Sequence, residues 1–273
     1  MKILSKNTLC DGGGTKVTEM WVESPDVARN GKPGQFIVLM TSEKGERIPL
    51  TIVERDTSKG SIKIIFQEAG LTTKLLGRLN PGDSLYALVG PLGHATEIKN
   101  YGKVIVVGGG VGIAEIYPVA KAMKGAGNHV TTILGARSKN LLILEKELKS
   151  VSDKFYVTTD DGSYERKGFV TDVLREIAPG AGLVYAVGPI PMMRNVASVT
   201  KELNVHTLVS LNALMVDATG MCGCCRVTVG GAVKFSCVDG PEFDGNLVDW
   251  DELIKRNKIY DSKEKHICKL GEK

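Results

Sequence analysis

The chain has 273 residues, 42% hydrophobic and 24% charged, so it carries enough apolar material for a sizeable core and is not a disordered chain. Its length suits two domains and a small module. A net charge of +4, with aromatics at 5% and no run of five like charges, excludes a nucleic-acid-binding arm or an aromatic base-stacking platform.

In chain order, residues 1–100 read as short strands with turn punctuation. Lys16–Val22, Gln35–Met40 and Ser61–Phe66 are β-rich runs, and Pro33-Gly34, Lys59-Gly60, Pro81-Gly82 and Gly90-Pro91 mark turns between them. One short helix is expected over Thr72–Leu79. This pattern predicts a small β-barrel. From residue 101 to 210 the pattern becomes alternating βα. The apolar strand Val104–Val107 runs into Gly108-Gly109-Gly110-Val111-Gly112 and a helix to Gly125. Strands at Val130–Leu134, Phe155–Thr158 and Leu183–Val187 follow, with helices at Leu142–Val151, Thr171–Ile177 and Pro191–Leu203. That succession predicts a doubly wound parallel sheet. Residues 211–273 form a third segment, holding a cysteine cluster and a tail in which seven basic residues face five acidic ones.

Met1–Lys6 has no apolar run, so no secretory leader is expected. The uncharged stretch Ile177–Met193 contains three prolines and three glycines, which excludes a transmembrane helix there. A cytoplasmic protein is expected. In that setting clustered cysteines hold a metal more often than a disulfide.

The strand–glycine–helix passage at Gly109, Gly110, Val111 and Gly112 suits a pyrophosphate, because glycine backbone approaches closely and a helix N-terminus offers oriented N–H groups. The Rossmann fingerprint is incomplete: Glu115 stands where a further glycine is expected, and Gly135-Ala136-Arg137 replaces the ribose-binding acid. A second glycine turn, Gly188-Pro189-Ile190-Pro191-Met192, belongs at the same carboxyl edge of the sheet. The cysteine cluster is the sharper signal. Asp217-x4-Cys222-x2-Cys225, with eleven residues between Cys225 and Cys237, reproduces the plant-type [2Fe–2S] spacing with a carboxylate in the first position. Two readings of the fourth ligand stay open: Asp217 itself, or Cys224 with Asp217 capping the loop. A zinc site using Cys222, Cys225, Cys237 and Cys268 or His266 is the alternative. It would make the chain a zinc-stabilised nucleotide-binding regulatory protein without redox activity.

Barrel, parallel sheet and iron–sulfur loop in this order resemble the ferredoxin–NADP reductase superfamily. Within it, the match is to electron-transfer subunits of the dihydroorotate dehydrogenase B type. The resemblance rests on Arg47-Ile48-Pro49-Leu50-Thr51, Gly70-Leu71-Thr72-Thr73-Lys74, Gly90–Gly93, Gly108–Gly112, Thr159–Gly162, Asp217–Cys225 and Cys237–Pro241. It implies FAD on the barrel, NAD(H) on the parallel sheet and a [2Fe–2S] cluster in the last module. The same resemblance places Arg47, Pro49, Leu50, Thr51, Ile64, Ile65, Phe66, Gly70, Thr72 and Thr73 at the flavin. Arg137, Asp161, Gly188, Pro189 and Met192 join the glycine turn at the nucleotide. Arg137, near the ribose edge, argues for NADP(H) against the family's NAD(H). The implied function is electron transfer between NAD(H), FAD and the cluster, to or from a larger flavin and iron–sulfur subunit. Asp217 in the first ligand place favours the ferredoxin:NADP oxidoreductase type, with ferredoxin and NADP(H) reached through that subunit. The electron-transfer subunit of a dihydroorotate dehydrogenase proper is the alternative. Hydride transfer needs no general acid or base, so no catalytic side chain is named.

Overall fold

Gly13 and Gly14, both left-handed (φ +58° and +73°), let β1 (Ile3–Gly12) turn straight into β2 (Thr15–Glu23). In the computed structural model, which describes residues 1–260, this hairpin opens the first of two compact units. α1 (Pro25–Asn30), β3 (Phe36–Met40), β4 (Ile48–Thr51), β5 (Glu54–Asp56), β6 (Ser61–Gln67), α2 (Leu71–Arg78) and β7 (Ala87–Leu92) complete the N-terminal part. The strands form two antiparallel sheets, ordered β1-β2-β6-β5 and β4-β3-β7. Period-two alternation fills the space between them: Ile62, Ile64 and Phe66 join Met20, Val22, Ile37, Leu39 and Leu76 of α2 in one core. On the other face of β6, Lys63 lies between Glu19 (3.4 Å) and Glu54 (2.7 Å), which satisfies a charge only 13% exposed. This is the barrel-like domain that the turn pattern predicts.

The second unit contains β8 (Lys103–Gly109), α3 (Ile113–Gly125), β9 (His129–Ala136), α4 (Glu145–Ser150), β10 (Lys154–Thr159), β11 (Arg166–Lys167), α5 (Val170–Ile177), β12 (Leu183–Val187), α6 (Ile190–Glu202) and β13 (Thr207–Ser210). Its strands lie in the order β11-β10-β9-β8-β12-β13 and are parallel throughout. Val104–Val107 and Leu183–Ala186 are completely buried, as continuous apolar runs in a sheet covered on both faces must be. The helix expected over Leu142–Val151 is shorter. Leu142 is extended and Leu144 takes a left-handed φ of 54°, so helical hydrogen bonding begins only at Glu145. There the i,i+4 pair Glu145–Lys149 (2.7 Å) supports the single remaining turn and a half.

The chain after 211 does not stay together as one piece. The hairpin β14 (Arg226–Val229) and β15 (Ala232–Phe235) and the helix α7 (Trp250–Asn257) belong to the first unit. Between them, β16 (Glu242–Asp244) pairs antiparallel with β13 as an added edge of the parallel sheet. Three residues with two charges carry no strand signal; pairing with an existing edge is what makes them a strand. The expectations for His266 and Cys268, and for the tail beyond 260, lie outside the described residues.

Candidate functional site

The cysteine segment turns on residues with left-handed backbone. Ala218, Gly220 and Gly223 have φ of 60°, 82° and 67°, which lets the loop turn back on itself. Cys225 and Cys237 are both buried, with their sulfurs 3.2 Å apart. Burial and the facing Cys225 thiol push the Cys237 thiol up to about 12. A metal binds the thiolate form, so loading this site would release protons to solvent. Asp217 accepts the Thr219 N–H (2.9 Å). That bond, with help from the Cys222 thiol, holds its carboxyl below the usual range. Cys224 also neighbours Cys222, and burial followed by that neighbour raises its thiol. The candidate ligands therefore fall into pairs: Cys225 with Cys237, and Cys222 with either Asp217 or Cys224. Among the described residues, no three His, Cys, Asp or Glu side chains converge on a single metal position. Two pairs suit a two-iron centre, one pair to each iron.

Orphaned polar atoms point to the same place. Three buried side-chain atoms have no hydrogen-bond partner among the described residues, and two of them, Ser236 Oγ and Arg256 Nε, belong to or pack on this segment. Buried donors without acceptors are costly. Anionic sulfur would supply acceptors for both, so the residues present fit the cluster.

The two glycine turns meet. β8 and β12 are parallel neighbours with Gly108 opposite Val187, and the strand order reverses between them, which is the switch point where such sheets bind ligands. A Cβ on Gly109 would strike the Met192 sulfur and crowd Pro189; one on Gly188 would lie 2.6 Å from Met192 Cε and 3.0 Å from the Gly109 carbonyl. Gly110 has φ +57° and open space around it, and Val111 beside it is exposed. Gly112 sits on the Val187 carbonyl, at the start of α3. Arg137 is exposed at the end of β9, and its carbonyl accepts the Asp161 N–H (3.2 Å) from the end of β10. The Asp161 carboxylate itself is turned to Ser163 (2.9 Å).

On the barrel, Pro49, Leu50 and Thr51 are half-buried on β4, an edge strand, where a proline costs no ladder bond. Arg47 is exposed just before it. Gly70 is open at the start of α2, whose first N–H groups have no intrahelical partner by geometry. The threonine hydroxyls are engaged within the chain. Thr73 Oγ1 accepts the Gly70 N–H (3.0 Å), and Thr72 donates to Glu46 (2.6 Å), tying the loop before β4 to α2. Ile64 and Phe66 are core residues and Ile65 is 4% exposed, so this strand offers backbone, not free side chains, to a ligand.

One buried group is assembled from residues far apart in the chain. Glu242, on β16, accepts from Thr96 and from Tyr185 (2.9 Å) at a single carboxylate oxygen. Burial pushes its carboxyl up to about 7, and Glu115 in the first turn of α3 adds to the rise against those two donors. Between the ordinary 4.5 and 7 the folded protein binds a proton here that the unfolded chain does not. Stability contributed by this group is therefore full at low pH and is lost as pH rises towards 7, by about 3 kcal/mol at most. Glu242→Gln should leave the melting temperature unchanged at pH 5 and raise it by a few degrees at pH 8, measured by calorimetry. Parallel pH profiles for the two proteins would refute the assignment.

Residues 212–249 match the iron–sulfur cluster binding domain of dihydroorotate dehydrogenase B, and residues 106–198 match the oxidoreductase NAD-binding domain. The electron-transfer subunit homologue of dihydroorotate dehydrogenase B (NAD(+)) from Thermotoga maritima is 50% identical over 251 residues, covering 91% of this chain and 89% of its own. The electron-transfer subunit of dihydroorotate dehydrogenase B (NAD(+)) from Geobacillus thermodenitrificans is 32% identical, covering 89% and 95%. A chain in the solved structure of an NADH-dependent reduced ferredoxin–NADP oxidoreductase, described for flavin-based electron bifurcation, superimposes with a TM-score of 0.92. It is 47% identical and covers 98% of this chain and 96% of its own.

Proposed function

The chain belongs to the electron-transfer subunit family of dihydroorotate dehydrogenase B, and from that premise we propose that it relays electrons between NAD(H) and a larger partner subunit through FAD and a [2Fe–2S] cluster. The observation that carries this reading is the pairing of Cys225 with Cys237, and of Cys222 with Asp217 or Cys224, in the segment that matches the iron–sulfur domain. A nicotinamide gives two electrons as hydride and an iron–sulfur cluster takes one, so a flavin serves as the converter between them. The chain's own residues bind and orient. Gly109, Gly110 and Gly112 clear space at the switch point for a pyrophosphate. The open edge of β4 and the first amides of α2 receive the flavin and its phosphates. Asp217, Cys222, Cys225 and Cys237 hold the irons. A zinc-stabilised regulatory role does not fit the iron–sulfur and oxidoreductase NAD-binding domain matches.

The partner we propose is a flavin and iron–sulfur oxidoreductase subunit of the ferredoxin:NADP type, in the cytoplasm. Support comes from the 47% identity to a chain of that assembly and from the carboxylate at position 217. No helix among the described residues is long and apolar enough to cross a membrane. NAD(H) is the proposed nucleotide, and kinetics with NADH and NADPH test it; preference for NADPH would assign Arg137 to a 2′-phosphate. Acid extraction of the purified protein should release FAD at about one per chain, beside the absorption of a [2Fe–2S] centre. A colourless protein containing zinc would overturn the proposal.

A further inference from the structure

α7 straps the iron–sulfur segment. At its start the Asp249 N–H donates to the Thr228 carbonyl of β14 (2.8 Å). At its end Asn257 accepts the Leu214 N–H (3.3 Å) and donates to the Asn212 carbonyl (3.0 Å). Between these anchors Arg256 Nη2 donates to the Cys224 carbonyl (3.1 Å), inside the turn that joins Cys222 to Cys225. The same guanidinium keeps its Nε buried without an acceptor among the described residues. A buried, charged N–H is costly to leave unsatisfied, and the one kind of acceptor that this segment gains on loading is anionic sulfur.

From this geometry we propose that Arg256 is a positioning residue for the iron–sulfur cluster, fixing the Cys222–Cys225 turn through Nη2 and raising the reduction potential through its charge and its Nε–H. The inference rests on the iron–sulfur reading above. Reduction adds one negative charge to the cluster, so a fixed positive charge beside it favours the reduced form. Hydrogen bonds to sulfur act in the same direction. Arginine suits the task because its planar fork serves a carbonyl and a second acceptor at once, which lysine cannot do.

Redox titration of the holoprotein, read by low-temperature EPR, tests this with two variants. Arg256→Gln keeps a side-chain donor for the Cys224 carbonyl but removes the charge. Its ratio of reduced to oxidised cluster at a fixed potential should fall about tenfold, a downward shift of about 59 mV for one electron. Arg256→Lys restores the charge without the fork and should fall less. If Gln loses the cluster and Lys retains it with a lowered potential, the charge and its placement are again supported. A wild-type potential in Arg256→Gln overturns the proposal. So does loss of the cluster from both variants, which would make Arg256 a packing strut. Absence of any [2Fe–2S] signal in the wild-type protein would instead remove the premise.

Discussion

Asp217→Ala should purify with about a tenth or less of the wild-type iron–sulfur content, while Cys224→Ser keeps nearly all of it. The expected contrast rests on position and chemistry together. Asp217 occupies the first place of the plant-type spacing, and its carboxyl is already held ionised by the Thr219 N–H. Cys224 lies between Cys222 and Cys225, outside the plant-type spacing. Asp217→Cys should retain the cluster with a changed potential, because a thiolate donates more charge to iron than a carboxylate oxygen does. Iron and sulfide analysis with visible absorption decides. The reverse pattern, a cluster lost in Cys224→Ser and spared in Asp217→Ala, would make Asp217 a loop cap and Cys224 the fourth ligand.

Gly112→Ala should abolish measurable NADH binding, a loss of at least about a hundredfold, and leave the flavin and cluster in place. The added Cβ would lie 2.7 Å from the Val187 carbonyl and 2.8 Å from the Gly188 N, both backbone atoms of the facing turn. Neither can yield without parting β12 from α3 at the proposed pyrophosphate site. Gly102→Ala, before the amino end of β8 and away from the turn, is the control. Its Cβ meets nothing within 4 Å, so the cost is that of a left-handed φ alone, about 1–2 kcal/mol. Fluorescence titration with NADH measures both; equal binding by Gly112→Ala and wild type would separate this turn from the nucleotide.

Most of the architecture was legible because it rests on strong local patterns. The apolar run into Gly108–Gly112 shows strand, turn and helix within one continuous stretch, and Leu183–Val187 matches to the residue. Spacing named the ligand candidates, since the loop that carries them is continuous in sequence. Features made by distant pairing were hidden. β16 exists because Glu242–Asp244 lies against Leu208–Ser210, and nothing in Glu-Phe-Asp announces it. The Glu242 group draws its donors from Thr96 and Tyr185, 146 and 57 residues away. Its one visible trace was Glu115, which reads as an oddity of the glycine turn and not as the neighbour of a buried acid. Arg256 reads as one charge in a mixed tail until α7 brings it onto the Cys224 carbonyl. The division of Cys222, Cys225 and Cys237 into pairs likewise needed the loop's left-handed residues in place, because spacing fixes order along the chain and not which sulfurs meet.

In this reading a single chain connects a two-electron nucleotide to a one-electron cluster. Anaerobic titration of the purified protein with NADH, followed by flavin absorbance and low-temperature EPR, tests it most directly. NADH should bleach the flavin and bring up a [2Fe–2S] signal in the same sample, with both changes lost in Gly112→Ala. A cluster that dithionite reduces but that stays oxidised and EPR-silent under excess NADH would contradict it.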